Sequence, residues 1–175
     1  EFAAQTLGRL TRLRGADLER DTIADLIGAM PAPQVLAIGP AEFEQPFQPW
    51  LDHRIQNDPF GWEFAYVDVQ QIYDQFSSGL KSPRGIKSFA EYAYTMWDAR
   101  ALVLVGDANE DTRELGEDPV PDHVPPSLHL QDFDDTELLA SDKWYGLFCT
   151  DLDGNPEPCV DYPRLLRKGP DMLVG

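Results

Sequence analysis

The stretch Ala101–Asp107, which reads ALVLVGD, decides the fold of this chain. It places five apolar residues in succession and then a glycine and an aspartate. An apolar run without polar alternation, closed by a turn signal, predicts a strand buried on both faces, as in a parallel sheet covered by helices. Such sheets bind ligands at the carboxyl ends of their strands, where Gly106 and Asp107 fall. A turn glycine and a capping aspartate explain these two residues equally well.

The chain before this strand alternates between strand and helix patterns. Val35–Ile38 is an apolar run that ends at Gly39-Pro40, and Trp62–Val67 is aromatic and mixed in polarity, which favours an edge strand. Apolar residues at helical spacing follow the first strand (Phe43, Phe47, Trp50, Leu51), so Pro46 and Pro49 are expected in the first turn of that helix. Asp58-Pro59 ends the segment.

Two more helices precede the ALVLVGD strand. Asp68 can cap the first, whose apolar stripe is Val69, Ile72, Tyr73 and Phe76, with Gly79 placed as a C-terminal glycine. Ser82-Pro83 opens the second, whose stripe is Ile86, Phe89, Ala90, Ala93 and Trp97. The order strand, helix, strand, two helices, strand predicts an α/β fold, a parallel sheet with helices on both faces in Rossmann-like order.

Both ends of the chain differ from this central pattern. The apolar pattern of residues 1–32 predicts short helices that form an N-terminal appendage. Residues 33–175 are expected to form the α/β domain. Residues 108–140 are acidic and rich in proline, which predicts a long irregular loop. Tyr145–Cys149 is interpreted as a short strand. Leu173-Val174 resembles the start of another strand, so the natural polypeptide is expected to continue past Gly175.

Composition excludes several classes of protein. An apolar share of 42% is enough for a core, and the formal net charge of −17 repels phosphate backbones and anionic membranes. No run of 18 apolar residues is present, so no transmembrane span is expected. No signal peptide opens this chain. The acidic excess is compatible with cation binding, a salty habitat or secretion.

The two cysteines, Cys149 and Cys159, give no convincing nucleophile. A catalytic cysteine needs a nearby histidine, and nothing around His53, His123 or His129 pairs one with either cysteine. Cys149 lies in the apolar run YGLFC, typical of a buried small side chain. A disulfide and two reduced thiols stay open alternatives. No Gly-rich phosphate loop is present either.

A cation site is the remaining chemical hypothesis. Asp151, Asp153 and Asn155 resemble the first half of a calcium loop, but the twelfth position holds Tyr162 rather than glutamate, so this is not an EF-hand. Oxygen ligands from this turn, with Asp107 and Asp142 behind them, could still bind calcium. The alternative is an ordinary solvated turn.

Several segments together resemble the gingipain-like cysteine peptidases. The matching stretches run in order through residues 33–175: VLAIGPAEFEQPFQPWLDHR, VDVQQIYDQFSSGLKSPRGIKSFAEYAY, ALVLVGDA, HVPPSL, ASDKWYG and PDMLVG. The combination of a V-x-x-I-Y-D-x-F helix, an L-V-G-D strand end and S-D-x-x-Y-G carries the resemblance. In that family the peptidase unit has two α/β subdomains, the second caspase-like, and this chain looks like the first.

The resemblance implies a role without chemistry of its own. The family's catalytic His lies between two glycines and its Cys follows later, and neither pattern occurs here, so no catalytic residue is carried over. The implied function is a non-catalytic N-terminal subdomain of a cysteine endopeptidase, with a downstream caspase-like subdomain as partner, protein or peptide as substrate, a secreted or cell-surface location, and calcium as a frequent ligand. Lys143 stands where an acidic residue is expected, which counts against metal there. The alternatives are an inert binding or scaffolding module, or part of a surface protein-sorting transpeptidase.

Overall fold

The structure is a computed structural model that describes residues 25–108, 123–125, 127–132, 135–148 and 171–175. Its helices are α1 (Leu26–Ala29), α2 (Ala41–Asn57), α3 (Val69–Phe76) and α4 (Pro83–Trp97). Its strands are β1 (Val35–Gly39), β2 (Phe64–Asp68), β3 (Ala101–Leu104), β4 (Ser127–Asp132), β5 (Asp135–Ser141) and β6 (Leu173–Val174). A 3₁₀ helix spans Asp142–Gly146.

The predicted α/β fold is confirmed. Four parallel strands form one sheet in the order β2-β1-β3-β6, with Val35 paired to Phe64 on one side and to Ala101 on the other. β2 lies at one edge, as its mixed polarity indicated, and Leu173–Val174 is a strand as expected. Of the short helices expected within residues 1–32, the structure describes α1 at Leu26–Ala29, whereas residues 1–24 lie outside the described residues. The domain boundary at residue 32 stays a prediction.

Local sequence signals place the ends of α3 and α4 as expected. The Asp68 side chain accepts a hydrogen bond from the Gln70 amide and caps α3, and the Ser82 side chain does the same for Arg84 at the start of α4, where Pro83 occupies the first turn. α4 ends at Asp98, which adopts a left-handed φ of 59°. Short polar side chains tolerate this conformation better than branched ones.

Helices cover both faces of the sheet, and the pairing register shows which residues face each of them. Leu36 and Ile38 of β1 belong to one buried cluster with Ile72, Phe89 and the other apolar residues of α3 and α4. Val35 and Ala37, which alternate with them, are buried outside that cluster. On their face, Phe47 of α2 packs its ring 6.0 Å from Tyr66, the partner of Ala37 in β2.

The expectation that β3 is buried on both faces was wrong. Leu102 is buried at 1% exposure, but Ala101, Val103 and Leu104 are only half-buried. Leu102 pairs with Leu36 and therefore faces α3 and α4, whereas Val103 pairs with Ala37 and faces the side that α2 covers. All five residues of β1 are buried, so β1 is the strand that lies fully inside.

Three other expectations were wrong. Pro46 and Pro49 lie inside α2 rather than in its first turn, because the helix already begins at Ala41. The stretch expected to be irregular contains the antiparallel hairpin of β4 and β5, since backbone pairing from Ser127 to Ser141 overrides an acidic composition. Tyr145 lies in the 3₁₀ helix and not in a strand.

Candidate functional site

A ligand-binding site is expected at the carboxyl edge of the sheet, between β1 and β3. The chain leaves β1 for β2 on one side and returns to β3 on the other, so the order of strands reverses at this point. Open α/β sheets bind ligands in the crevice beyond such a reversal. Here the crevice is bounded by Gly39-Pro40 after β1 and by Val105–Asp107 after β3.

Other atoms of the chain pack closely against two glycines at this edge. A β-carbon added to Gly39 would lie 2.4 Å from the Val105 carbonyl oxygen and 2.5 Å from the Tyr66 hydroxyl. At Gly106, where φ is +129°, an added β-carbon would lie 2.6 Å from the His123 β-carbon. Both glycines are therefore required for close packing, and the positive φ of Gly106 agrees with the turn glycine that the sequence analysis offered as an alternative to ligand binding.

The Tyr66 side chain borders this crevice on the side of β2. Its hydroxyl donates a 2.7 Å hydrogen bond to the Pro40 carbonyl. Burial, followed by the negative charges of Asp68 and Glu44, raises the pKa of the Tyr66 phenol to about 12. A phenol held protonated in this way is a hydrogen-bond donor and a poor general base.

The His123 side chain borders this crevice on the side of β3. Its ring lies 4.9 Å from the Phe43 ring, and its Nδ1 accepts a 3.2 Å hydrogen bond from the Asp107 amide. This geometry assigns the ring proton of the neutral form to Nε2. The His123 and Val124 amides in turn donate to the Asp107 carbonyl at 3.0 and 3.3 Å. His123 therefore joins the strand end at Asp107 to the HVPP segment.

A second constellation involves the S-D-x-x-Y-G segment, which lies in the 3₁₀ helix. Tyr145 is fully buried, and its hydroxyl donates to the Pro125 carbonyl. Gly146 accepts hydrogen bonds from the Asp171 and Met172 amides at 2.7 and 3.1 Å. A β-carbon on Gly146 would lie 2.2 Å from the Met172 carbonyl oxygen. The tyrosine and glycine of this motif thus serve packing.

Lys87 of α4 connects this 3₁₀ helix to the main domain. Its ammonium donates to the carbonyls of Trp144, at 2.8 Å, and of Leu147, and lies 4.2 Å from the centre of the Trp144 ring. Burial lowers the pKa of Lys87 to about 8, against the opposing effect of the Glu91 and Asp171 charges. Sequence reasoning missed this residue, because its partners lie 57 and 60 positions further along the chain.

The predicted calcium ligands are not brought together within the part of the chain that the structure describes. There, no three residues among His, Cys, Asp and Glu form a group that could hold a metal ion. The exposed Asp107 side chain accepts a hydrogen bond from the neighbouring Ala108 amide at 2.9 Å. Partial burial raises the pKa of the Asp142 carboxyl. Asp151, Asp153 and Asn155 lie outside the described residues, so the calcium hypothesis stays a prediction.

Neither cysteine can be placed. Cys149 and Cys159 lie outside the described residues, as does any bond between them. His53 is exposed on α2, where its ring nitrogen lies 3.3 Å from Asn57 on the next turn.

Among the described helices, none has the length and hydropathy of a membrane span.

An α/β domain with a four-stranded parallel sheet and close packing at Gly39 and Gly106 is the class that this geometry defines. Residues 29–175 match the model of peptidase family C25. Because this match covers most of the chain, the chain belongs to the C25 or gingipain family, as the resemblance implied. Comparison with curated proteins gives no significant match.

A solved structure of this family has a similar fold. Dimeric latent PorU from Porphyromonas gingivalis superimposes with a TM-score of 0.61 at 19% sequence identity. The alignment covers 82% of this chain but 14% of the PorU chain. At this identity the similarity concerns the fold, and the chain corresponds to a small part of that protein's length.

Proposed function

We propose that this chain is the non-catalytic N-terminal α/β subdomain of a gingipain-like cysteine endopeptidase and supports its caspase-like catalytic half. The observation that carries the proposal is the family match over residues 29–175 in a chain that aligns with only 14% of PorU. The close contacts at Gly39 and Gly106 support a structural role, because each of these glycines packs directly against other atoms of the chain.

The proposal includes partners and location. The direct partner is a caspase-like subdomain of the same polypeptide, and the substrates of the assembled peptidase are proteins or peptides. The assembled protein acts outside the cell or at its surface, in keeping with the family resemblance. The subdomain would shape one wall of the substrate cleft.

The proposal predicts that the purified chain has no peptidase activity. No Gly-His-Gly segment is present in the sequence, and neither cysteine lies in a context that matches the family's nucleophile. The assay uses a mixed peptide library with and without reductant, with Cys149→Ala and Cys159→Ala as control variants. Turnover that either substitution abolishes would overturn the non-catalytic role.

A binding or scaffolding module that keeps the fold without the enzyme is the second candidate, and the close packing at Gly39 and Gly106 favours it equally. The reading frame after Gly175 separates the two. A downstream Gly-His-Gly segment followed by a cysteine supports the peptidase subdomain, whereas a stop codon or an unrelated domain supports the module.

A further inference from the structure

We propose that Lys87 and Asp171 form an electrostatic clamp on the Leu147–Phe148 peptide group, and that this clamp fastens the terminal strand β6 to the sheet. The clamp is a conformational device, since it makes the docking of residues 171–175 depend on two charges, that of Lys87 on α4 and that of Asp171 at the start of the segment itself. It concerns the assembly of the sheet edge and is independent of the peptidase proposal.

The clamp acts on the two ends of one peptide dipole. The Lys87 ammonium donates to the Leu147 carbonyl, and the Phe148 amide of the same peptide group donates to the Asp171 carboxylate at 2.8 Å. A trans peptide directs its oxygen and its hydrogen to opposite sides. The cation therefore lies at the negative end of the dipole and the anion at the positive end, so both hydrogen bonds are charge-assisted and strengthen each other.

The clamp holds three segments together. Lys87 belongs to α4, the clamped peptide follows the 3₁₀ helix, and Asp171 immediately precedes β6. Gly146 adds the backbone bonds that it accepts from Asp171 and Met172. The Trp144 ring, 4.2 Å from the Lys87 nitrogen, shields the cation on one side. Loss of either charge would leave one end of a partly buried peptide group without its partner.

β6 is the element that such a loss would release. It has two residues, and its pairing with β3 consists of Ala101 with Leu173 and Leu102 with Val174. Within residues 171–175 only Met172 is fully buried, while Leu173 is 65% exposed. Met172 joins the main cluster to which Tyr145 and Phe148 on the other side of the clamp also belong, so this side chain and the clamp together hold the segment. Short segments with little buried apolar surface open at lower free energy than the core.

Amide hydrogen exchange on the whole chain tests the clamp. The reporters are the Leu173 and Gly175 amides, which donate to Arg100 and Leu102 across the β3–β6 pair, and the reference amides are those of Ala37 and Ile38 in β1. In Lys87→Met and in Asp171→Ala we expect the reporters to exchange at least about tenfold faster than in the parent, with the references unchanged, as loss of one charge-assisted hydrogen bond implies. Lys87→Arg should restore most of the protection.

Two further variants keep the result interpretable. Lys81→Met removes an exposed lysine just before α4 and should leave the reporters unchanged. The double variant Lys87→Met with Asp171→Ala should accelerate exchange by less than the product of the single effects, because both act on one peptide group. Unchanged reporters, equal acceleration of reporters and references, or independent single effects would each overturn the clamp. If Lys87→Met does not fold, the exchange of the reporter amides relative to the reference amides in Asp171→Ala alone tests the clamp.

Discussion

Single residues at the carboxyl edge of the sheet act mainly by filling space. Gly39 admits the Val105 carbonyl and the Tyr66 hydroxyl, Gly106 admits His123, and Tyr66 satisfies the Pro40 carbonyl. In an enzyme of this fold class the same edge is normally open to a ligand. These close contacts are the physical reason for assigning the edge a structural role.

Tyr66 gives this edge a measurable pH dependence. The folded chain holds the Tyr66 proton to a pKa of about 12, whereas the ordinary value is 10.0. The stability that Tyr66 contributes is therefore complete below pH 10 and is lost as the pH rises toward 12. We expect Tyr66→Phe to show a shallower loss of stability than the parent in urea unfolding between pH 10 and 12.

The matched control for this measurement is Tyr94→Phe, at a half-buried tyrosine of α4 that packs against Phe148. It removes one phenol from the chain without touching the carboxyl edge. If the parent and Tyr66→Phe lost stability equally across this pH range, Tyr66 would not hold its proton as the structure implies.

At the scale of elements, the two faces of β3 have different surroundings. The crossover of α3 and α4 from β2 to β3 covers one face, and the 3₁₀ helix packs on the same side, where Tyr145 and Phe148 join the cluster. The other face carries α2, which packs over β1 and β2 and leaves Val103 half-buried. A strand in the middle of a parallel sheet can therefore be well packed on one face only.

Two substitutions in β3 test this asymmetry. Leu102→Ala should destabilise the domain by about 2–5 kcal/mol, the usual cost of a cavity at a fully buried leucine. Val103→Ala, one residue further on the opposite face, should cost about 1 kcal/mol or less, because part of its surface is already in water. Urea unfolding of both variants measures the difference. Equal losses would mean that Val103 is as buried as Leu102.

At the scale of the whole molecule, charge is the dominant property. The sequence carries 31 acidic and 14 basic side chains, for a net charge of −17. Among the described residues, this excess is spread over the surface rather than collected into a metal site. Crowded carboxylates still favour cation binding wherever the chain gathers them.

Calcium binding at Asp151, Asp153 and Asn155 is the prediction at this scale. A cation that binds the folded chain raises its melting temperature as its concentration passes the dissociation constant. We expect calcium to raise the melting temperature more than magnesium does at fixed ionic strength, and Asp153→Ala to abolish the difference. If calcium gives no shift, or an equal shift in Asp153→Ala, the segment is an ordinary solvated turn.

The sequence alone determined the elements whose signals are local. The apolar runs of β1 and β3, the stripes of α3 and α4 and the caps Asp68 and Ser82 all lie within a few residues of the structure they specify. The strand at Leu173–Val174 and the edge position of β2 were also predictable, as was the family. Such signals work because side-chain spacing and capping act over one or two turns.

Only the tertiary structure decided how these elements meet. It placed Pro46 and Pro49 inside α2, left one face of β3 half-buried, formed the β4–β5 hairpin and brought Lys87 to carbonyls 57 and 60 residues away. It also joined His123 to Asp107 through a hydrogen bond between residues 16 positions apart. These features depend on contacts between residues far apart in the chain, and such contacts leave no periodicity in the sequence by which they could be predicted.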